Sequence, residues 1–450
     1  MTLTLDSLRQ KAQSGDIDTV IVADVDMQGR LYGKRLTAVQ FLAEGHKGLG
    51  TCSVVLGWGQ DHSLDPGYRF TGWDLGYPDF ISMPDLSTLR LYGWFPRTAI
   101  VFSDAKTLAG GPVAIAPRAI LKHQLERTAK LGFTPYFASE LEFFLLKETA
   151  DSAHAKGFVN LLPRHHAMHP ETVMRTSEDE DFAQPLRAAL QASDVPVELV
   201  KAEYSPGQIE VNLRYAPALE AAQRHLLLKA AAKEIALQQG QIATFMAKWR
   251  SDMGGSSCHT HMSLCRADGS SAFEDSKGEP NETLKAFLAG LLRYGREFFL
   301  FFAPTTNSYK RLVPNTFAPA RLNWGIDNRT VALRVIGKGP ARRIENRIPG
   351  ADVNPCLVYA GMLAAGLAGI ENNRELDQPA LTGNAYAVRE GEAMPKDLSE
   401  AASAFATSDI VRAAFGAEVQ AHYANFGHQT EAAIADKVSD VERRLLLLDI

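Results

Sequence analysis

The sequence predicts an α+β protein built in two unequal parts, and three observations carry that reading. The first hundred residues alternate β-branched runs with turn-forming pairs. The remainder interleaves apolar, strand-like segments with long helical stretches rich in alanine and leucine. Between the two, Gly110-Gly111-Pro112 breaks the pattern, which sets an N-terminal domain over residues 1–110 and a larger one over residues 111–450.

Along the chain, TVIVADV at residues 19–25 predicts a strand, Met27-Gln28-Gly29 a turn, and residues 30–36 the returning strand. Residues 63–77, rich in glycine, proline and aromatics, read as irregular, and residues 98–102 as a further strand. Past the break, Pro117 suits the first turn of a helix continuing through Ile120, Leu121, Leu125 and Leu131. Residues 134–146, 207–213 and 257–264 read as strands; residues 218–239, 284–302 and 355–370 read as helices. The acidic run Glu178-Asp179-Glu180-Asp181 predicts a solvated loop, and residues 438–450 a charged-then-apolar tail docked on the body.

With 450 residues, 46% of them hydrophobic, the chain can bury a large core. A net charge of −5 without a long basic run argues against a nucleic-acid partner. Four cysteines without CxxC spacing read as reduced thiols rather than a disulfide frame or a zinc site. The first residues are mixed and polar, unlike a signal peptide, and no apolar run reaches the roughly 18 residues of a membrane span. The expectation is a soluble, cytoplasmic protein of enzyme size that engages neither membrane nor nucleic acid.

Four groups of residues carry chemistry. Glu140 and Glu142 stand at i and i+2 in the apolar run ASELEFFLL, so a strand turns both carboxylates to one face. A divalent cation would answer their repulsion and desolvation; an edge strand facing water would do so equally. Glu203 and Glu210 flank a Pro206-Gly207 turn that folds the second acid back toward the first, which a surface hairpin also explains. His259 and His261 form another i, i+2 pair after the small-residue loop Gly254-Gly255-Ser256-Ser257. Imidazole there suits a metal or a phosphate, and equally a structural pair. Finally, Lys310, Arg311, Arg321, Arg329, Arg334, Lys338, Arg342, Arg343 and Arg347 gather in 38 residues, with Glu345 set among them. Cations alternating with apolar residues suit a cleft that takes phosphates and carboxylates. Together these groups point to phosphoryl transfer assisted by Mg²⁺ or Mn²⁺, without a P-loop.

The motifs SELEFF, EYSPGQIE, GSSCHTHMSL, NSYKRLVP, the Asn328-Arg329 pair and RIENRIPGADVNP resemble, in order, the signatures of type I glutamine synthetases across residues 98–370. The N-terminal hairpin resembles the family's β-grasp domain more loosely. The resemblance implies a large catalytic domain with a curved antiparallel sheet. It also implies ATP as a substrate, two to three Mg²⁺ or Mn²⁺ ions per site, and a dodecamer of two hexameric rings. Glu142, Glu203 and Glu210 match the ligands of one metal; Glu140, His259 and Glu345 match those of the other. Glutamate binding falls to Glu142, Gly255, His259, Arg311 and Arg347. Nucleotide binding falls to Tyr215, His261, Ser263, Arg329, Arg334 and Arg343, with Arg311, Arg329 and Arg334 as catalytic cations.

Three departures redirect the amine half of the reaction. Phe317 stands three residues after Pro314, where the family presents a glutamate that helps deprotonate ammonium. The stretch GTCSVVLGW carries Ser53 where the family's neighbouring subunit supplies an aspartate, and Gly254 replaces an asparagine. A pocket without those acids binds NH₄⁺ poorly, whereas Phe317, Ser53 and Trp58, with Trp73 and Trp94 nearby, suit the carbon skeleton of an organic amine. The wording around Phe317 resembles the γ-glutamyl–amine ligase branch. The expected activity is therefore ATP-dependent ligation of the glutamate γ-carboxylate to an organic amine. A glutamine synthetase using ammonia and a non-catalytic homologue are the alternatives.

Overall fold

Two large β-sheets carry the chain, the first grown from the β-branched run at residues 19–25 and the second from the aromatic, leucine-rich run at residues 133–146. The computed structural model describes residues 3–168 and 170–447. The first sheet contains β1 (Thr19–Val25), β2 (Leu31–Thr37), β3 (Leu49–Cys52), β4 (Asp79–Pro84), β5 (Arg90–Leu91) and β6 (Thr98–Lys106), in the order β2-β1-β6-β4-β3 with β5 beside β6. β1 and β2 form the predicted hairpin. Its turn is closed by Asp26, whose Oδ1 accepts from the amides of Gln28 at 3.0 Å and Arg30 at 2.8 Å. β6 runs parallel to β1 and extends four residues past its predicted end.

The second sheet holds nine strands. They are β7 (Phe133–Leu146), β8 (Val197–Ala202), β9 (Gln208–Leu213), β10 (Ala216–Pro217), β11 (Ile242–Thr244), β12 (Cys258–Arg266), β14 (Trp324–Ile326), β15 (Leu333–Ile336) and β16 (Arg343–Asn346), with β13 (Arg321–Leu322) and β17 (Glu392–Ala393) paired apart from them. The order is β14-β15-β16-β12-β7-β9-β8, antiparallel throughout except for β14 beside β15. β7 is 14 residues long and pairs with β10 near one end and β11 at the other, so the sheet curves around it.

Long helices back this sheet. The Pro355–Glu371 helix is buried from Pro355 to Gly369, and crosses the Glu282–Tyr294 helix where Gly290 meets Gly369. A Cβ on Gly290 would lie 2.3 Å from the Ala365 carbonyl oxygen, so only glycine permits that approach. The Asn354 side chain, capping this helix, donates to the Asp26 carbonyl at 2.9 Å and ties the β1–β2 turn to the helices behind the second sheet. No helix among the described residues is long and apolar enough to cross a membrane.

Three predicted segments differ. Residues 284–302 form two helices, Glu282–Tyr294 and Phe299–Phe302, because Gly295 ends the first and the next bonds tighten into turns. The acidic run is no solvated loop. It joins the Val173–Glu178 and Glu180–Ala192 helices, and Asp179 is buried against Arg164 at 2.9 Å and His165 at 2.7 Å. The tail forms a capped helix, Asp440–Leu446, and Val438, Val441, Leu446 and Leu447 stay exposed instead of docking; residues 448–450 lie outside the described residues. A helix at Leu5–Ser14, capped reciprocally by Thr4 and Ser7, packs Leu8 into a small core with Val20, Val22 and Phe41.

Candidate active site

Strand register assembles the site. Glu140 and Glu142 share a face of β7, the central strand. On one side Glu142 lies opposite Glu210 of β9; on the other, Glu140 lies opposite His259 of β12. One strand further out, His261 of β12 faces Glu345 of β16. Four neighbouring strands thus set the acids and histidines in a row, and the β8–β9 turn adds Glu203.

The row divides into two clusters. In the first, ligand atoms of Glu142, Glu203 and Glu210 lie within 4.8 Å of one another. Glu142 is fixed by three donors: the Ser257 amide at 2.8 Å, the Ser257 hydroxyl at 2.5 Å and the Gln208 side chain at 3.0 Å. Lys201 of β8 reaches Glu203, and Glu210 at 3.3 Å. Burial, reinforced by the Glu142 charge, pushes the Glu210 carboxyl above its ordinary range. Burial is the largest single influence on Glu203, but the hydrogen bond and charge of Lys201, with bonds to Glu210 and the Tyr204 amide, together outweigh it and draw that carboxyl down.

In the second cluster, Glu140, His261 and Glu345 present ligand atoms within 4.8 Å of one another. His259 belongs there as well, its Nδ1 3.4 Å from Glu140 and 3.6 Å from Glu345. The two histidines differ in what they leave open. His261 Nδ1 accepts from Arg343 at 3.2 Å, which puts its proton on Nε2, 2.8 Å from Glu140. His259 instead aims Nδ1 between two carboxylates. Glu345 is fully buried and held by Arg347 at 2.5 Å and Arg334 at 3.0 Å. Burial would raise its pKa, yet the charges of His259 and Arg347 bring it to about 2. Burial likewise opposes the ionisation of Glu140, and hydrogen bonds from both histidines hold it well below the carboxylate range.

Beside this cluster a cavity of about 400 Å³ is lined by Glu140, Tyr136, Tyr215, His261, Ser263 and Arg343 among others. Four residues predicted to bind nucleotide therefore meet in one place, with Tyr136 and Tyr215 edge to face at 6.1 Å. Arg334 stays with Glu345 and Asp327, and Arg329 is exposed and does not line the cavity. Arg311 is buried, donating to the carbonyls of Ile348 at 2.8 Å and Arg347 at 3.1 Å. A Cβ on Gly255 would come within 2.6 Å of Arg311 Cγ, which explains the glycine. Arg347 has its Nε buried without a partner, and its Nη2 lies 3.4 Å from the Phe317 carbonyl.

Phe317 sits at the exposed tip of its loop, 62% accessible and with φ of 58°. The loop is tethered by Arg347 and by Tyr386, whose hydroxyl donates to the Ala318 carbonyl at 2.9 Å. The chain does not bring the other predicted amine-pocket residues to it. Ser53 is fully buried, its hydroxyl donating to Thr71 at 3.0 Å. Trp58 packs on Tyr32 and His62, and Trp94 is buried with its indole donating to Glu234. Trp73 is exposed against Tyr77. Conversely, Lys201 and Gln208 belong to the site without having been singled out, and Ser257 was read only as part of the small-residue loop. That serine was the only visible signal of the three.

The arrangement has known counterparts. Residues 114–446 match the model of the glutamine synthetase catalytic domain. The chain is 42% identical to the γ-glutamylethanolamide synthetase GlnA4 of Streptomyces coelicolor, over 98% of this chain and 95% of that one. It is 39% identical to the glutamate–isopropylamine ligase of a Pseudomonas species, over 93% and 92% of the two chains. Among solved structures, GmaS without ligand superposes with a TM-score of 0.85 at 28% identity over the whole of both chains. A GmaS complex with ADP superposes at 0.84 and 27%, over 99% of this chain and 100% of that one. The row of carboxylates and histidines on this curved sheet is therefore that of a relative of these enzymes, and the chain belongs to the glutamine synthetase family.

Proposed function

We propose that this protein joins the γ-carboxylate of glutamate to an organic amine, converting ATP to ADP and phosphate through a γ-glutamyl phosphate. The observation that carries this reading is the pair of largely buried carboxylate clusters centred on β7, one of which opens onto a nucleotide-sized cavity. Two relatives, at 42% and 39% identity, are named for ethanolamide and isopropylamine ligation, which supports the reading.

Enzymes of this family use ATP and divalent metal ions, and the residues here fit such ions. Glu142, Glu203 and Glu210 offer only oxygen, and Glu140 and Glu345 offer oxygen with the Nδ1 of His259 aimed between them, donor sets suited to Mg²⁺ or Mn²⁺. Bound there, the ions would neutralise phosphate charge and polarise the phosphoryl group. The chain's own groups do the rest. Tyr215 supports the base, while Arg343 and Arg334 meet the phosphates and the charge that spreads over them in transfer; Arg329, which lies outside the cavity, would have to swing inward to join them. Arg311, Arg347 and the Gly255 backbone hold glutamate with its γ-carboxylate toward the clusters. Phe317 covers the acyl phosphate with an apolar ring, favouring an amine with carbon attached over ammonium. Ser53, fully buried on Thr71, takes no part in that pocket, and completing it with Trp58 requires a neighbouring copy, in keeping with a dodecamer of two hexameric rings in the cytoplasm; light scattering tests the assembly.

A panel of amines with phosphate release as readout tests the activity. Small alkyl- and hydroxyalkylamines are expected to exceed ammonia in kcat/KM. Ammonia in first place would make the protein a glutamine synthetase, and no glutamate-dependent ADP release with any amine would overturn ligation altogether.

A further inference from the structure

Lys201 is a cation placed inside a cluster of acids. It stands opposite Glu210 across the β8–β9 pair, and its ammonium touches Glu203 Oε1 and lies 3.3 Å from Glu210 Oε2. It therefore bridges two of the three carboxylates, in the space an ion shared by both would need. Its third contact leads away from the cluster, to Glu171 Oε1 at 3.1 Å. Glu171 is 69% exposed on its side chain, and its amide donates to the Ala202 carbonyl at 3.2 Å, which keeps it alongside β8.

We infer that Lys201 is a resident counter-ion that competes with divalent metal for the Glu142–Glu203–Glu210 cluster, with Glu171 as the seat it moves to when metal enters. This rests on the reading of that cluster as a metal site. Three carboxylates packed without a cation repel one another, and the lysine relieves this in the metal-free protein. A divalent ion a few ångströms from an ammonium is repelled in turn, so the lysine must withdraw along its flexible stem. The acid on the outer strand side gives it somewhere to go. Metal affinity would thus be set lower than three carboxylates alone provide, and by a residue that is not a ligand.

The test is calorimetric titration of Mn²⁺ alone into full-length protein at pH 8, with thermal melting alongside. Lys201→Met is expected to bind Mn²⁺ at this site about tenfold tighter, ~1.4 kcal/mol, while its metal-free form melts at lower temperature than the parent. Glu171→Gln, which leaves the cluster intact, is expected to weaken Mn²⁺ binding several-fold because the ammonium loses its alternative seat. Unchanged or weaker affinity in Lys201→Met with stoichiometry preserved overturns the inference. So does a Glu171→Gln variant with parental affinity, which stands as the deciding result if Lys201→Met fails to fold. Glu210→Gln separates the underlying reading: loss of one Mn²⁺ equivalent supports it, and an unchanged stoichiometry overturns both.

Discussion

The two carboxylate clusters share strand β7 but answer their negative charge in different ways. Around Glu345 the compensation is built in: Arg334 and Arg347 project from β15 and from the end of β16, both nearly buried, and two histidines stand beside Glu140. Around Glu210 there is one lysine on a long stem, reaching from a partly exposed strand. The cations of the first cluster favour ionised acids; the second leaves one carboxyl resisting ionisation. Permanent cations suit a place where phosphate charge must be met in every turnover, and a mobile one suits a place where an ion comes and goes.

Mutations can break that contrast. The largest effect is expected for Glu345→Ala. It should lower glutamate-dependent ADP release at least about a thousandfold and also leave Arg347 buried without its acid, with Arg334 falling back on Asp327 alone, costing ~3–5 kcal/mol in a denaturant melt. Glu345→Gln keeps the volume and separates the two losses: its activity should fall similarly with a smaller stability change. An alanine variant as stable as the parent would show that the arginines find other partners, and the contrast would fail. Next comes Ser257→Ala, which removes one of the three donors on Glu142; metal affinity should drop roughly tenfold with little change in ATP binding. Phe317→Glu touches neither cluster. It is expected to raise the ammonia-to-alkylamine ratio of kcat/KM several-fold with a stability change within about 0.5 kcal/mol, since the side chain is largely exposed. An unchanged ratio would remove Phe317 from amine selection.

Much of this was readable in the chain because period-two spacing survives folding. Glu140 with Glu142, and His259 with His261, announced a shared face, and the Pro206-Gly207 turn announced the return of Glu210. What stayed hidden depends on register. Ser257 holds Glu142 across 115 positions, and Lys201 meets Glu210 only because a bulge between Val197 and Leu199 sets the pairing of β8. No local pattern reports such offsets. The acidic run at residues 178–181 misled for a related reason: its charge looks solvated until Arg164 and His165 fold over Asp179. The Leu5–Ser14 helix hid behind a polar composition, although Thr4 and Ser7 spelled out its cap.

The row of strands β9-β7-β12-β16 also has a schedule. Its first acids are made at positions 140 and 142, and Glu345 follows some two hundred residues later. At about 5–20 residues per second, the ribosome delivers the last member roughly 10–40 seconds after the first. For the first part of that interval, until β12 emerges at residues 258–266, β7, rich in phenylalanine and leucine, lacks one of the two long strands on which its burial depends. Pairing over such separations is slow and leaves apolar strand edges open. Recombinant yield should therefore respond to lower growth temperature and added chaperones more than to any substitution on the finished surface.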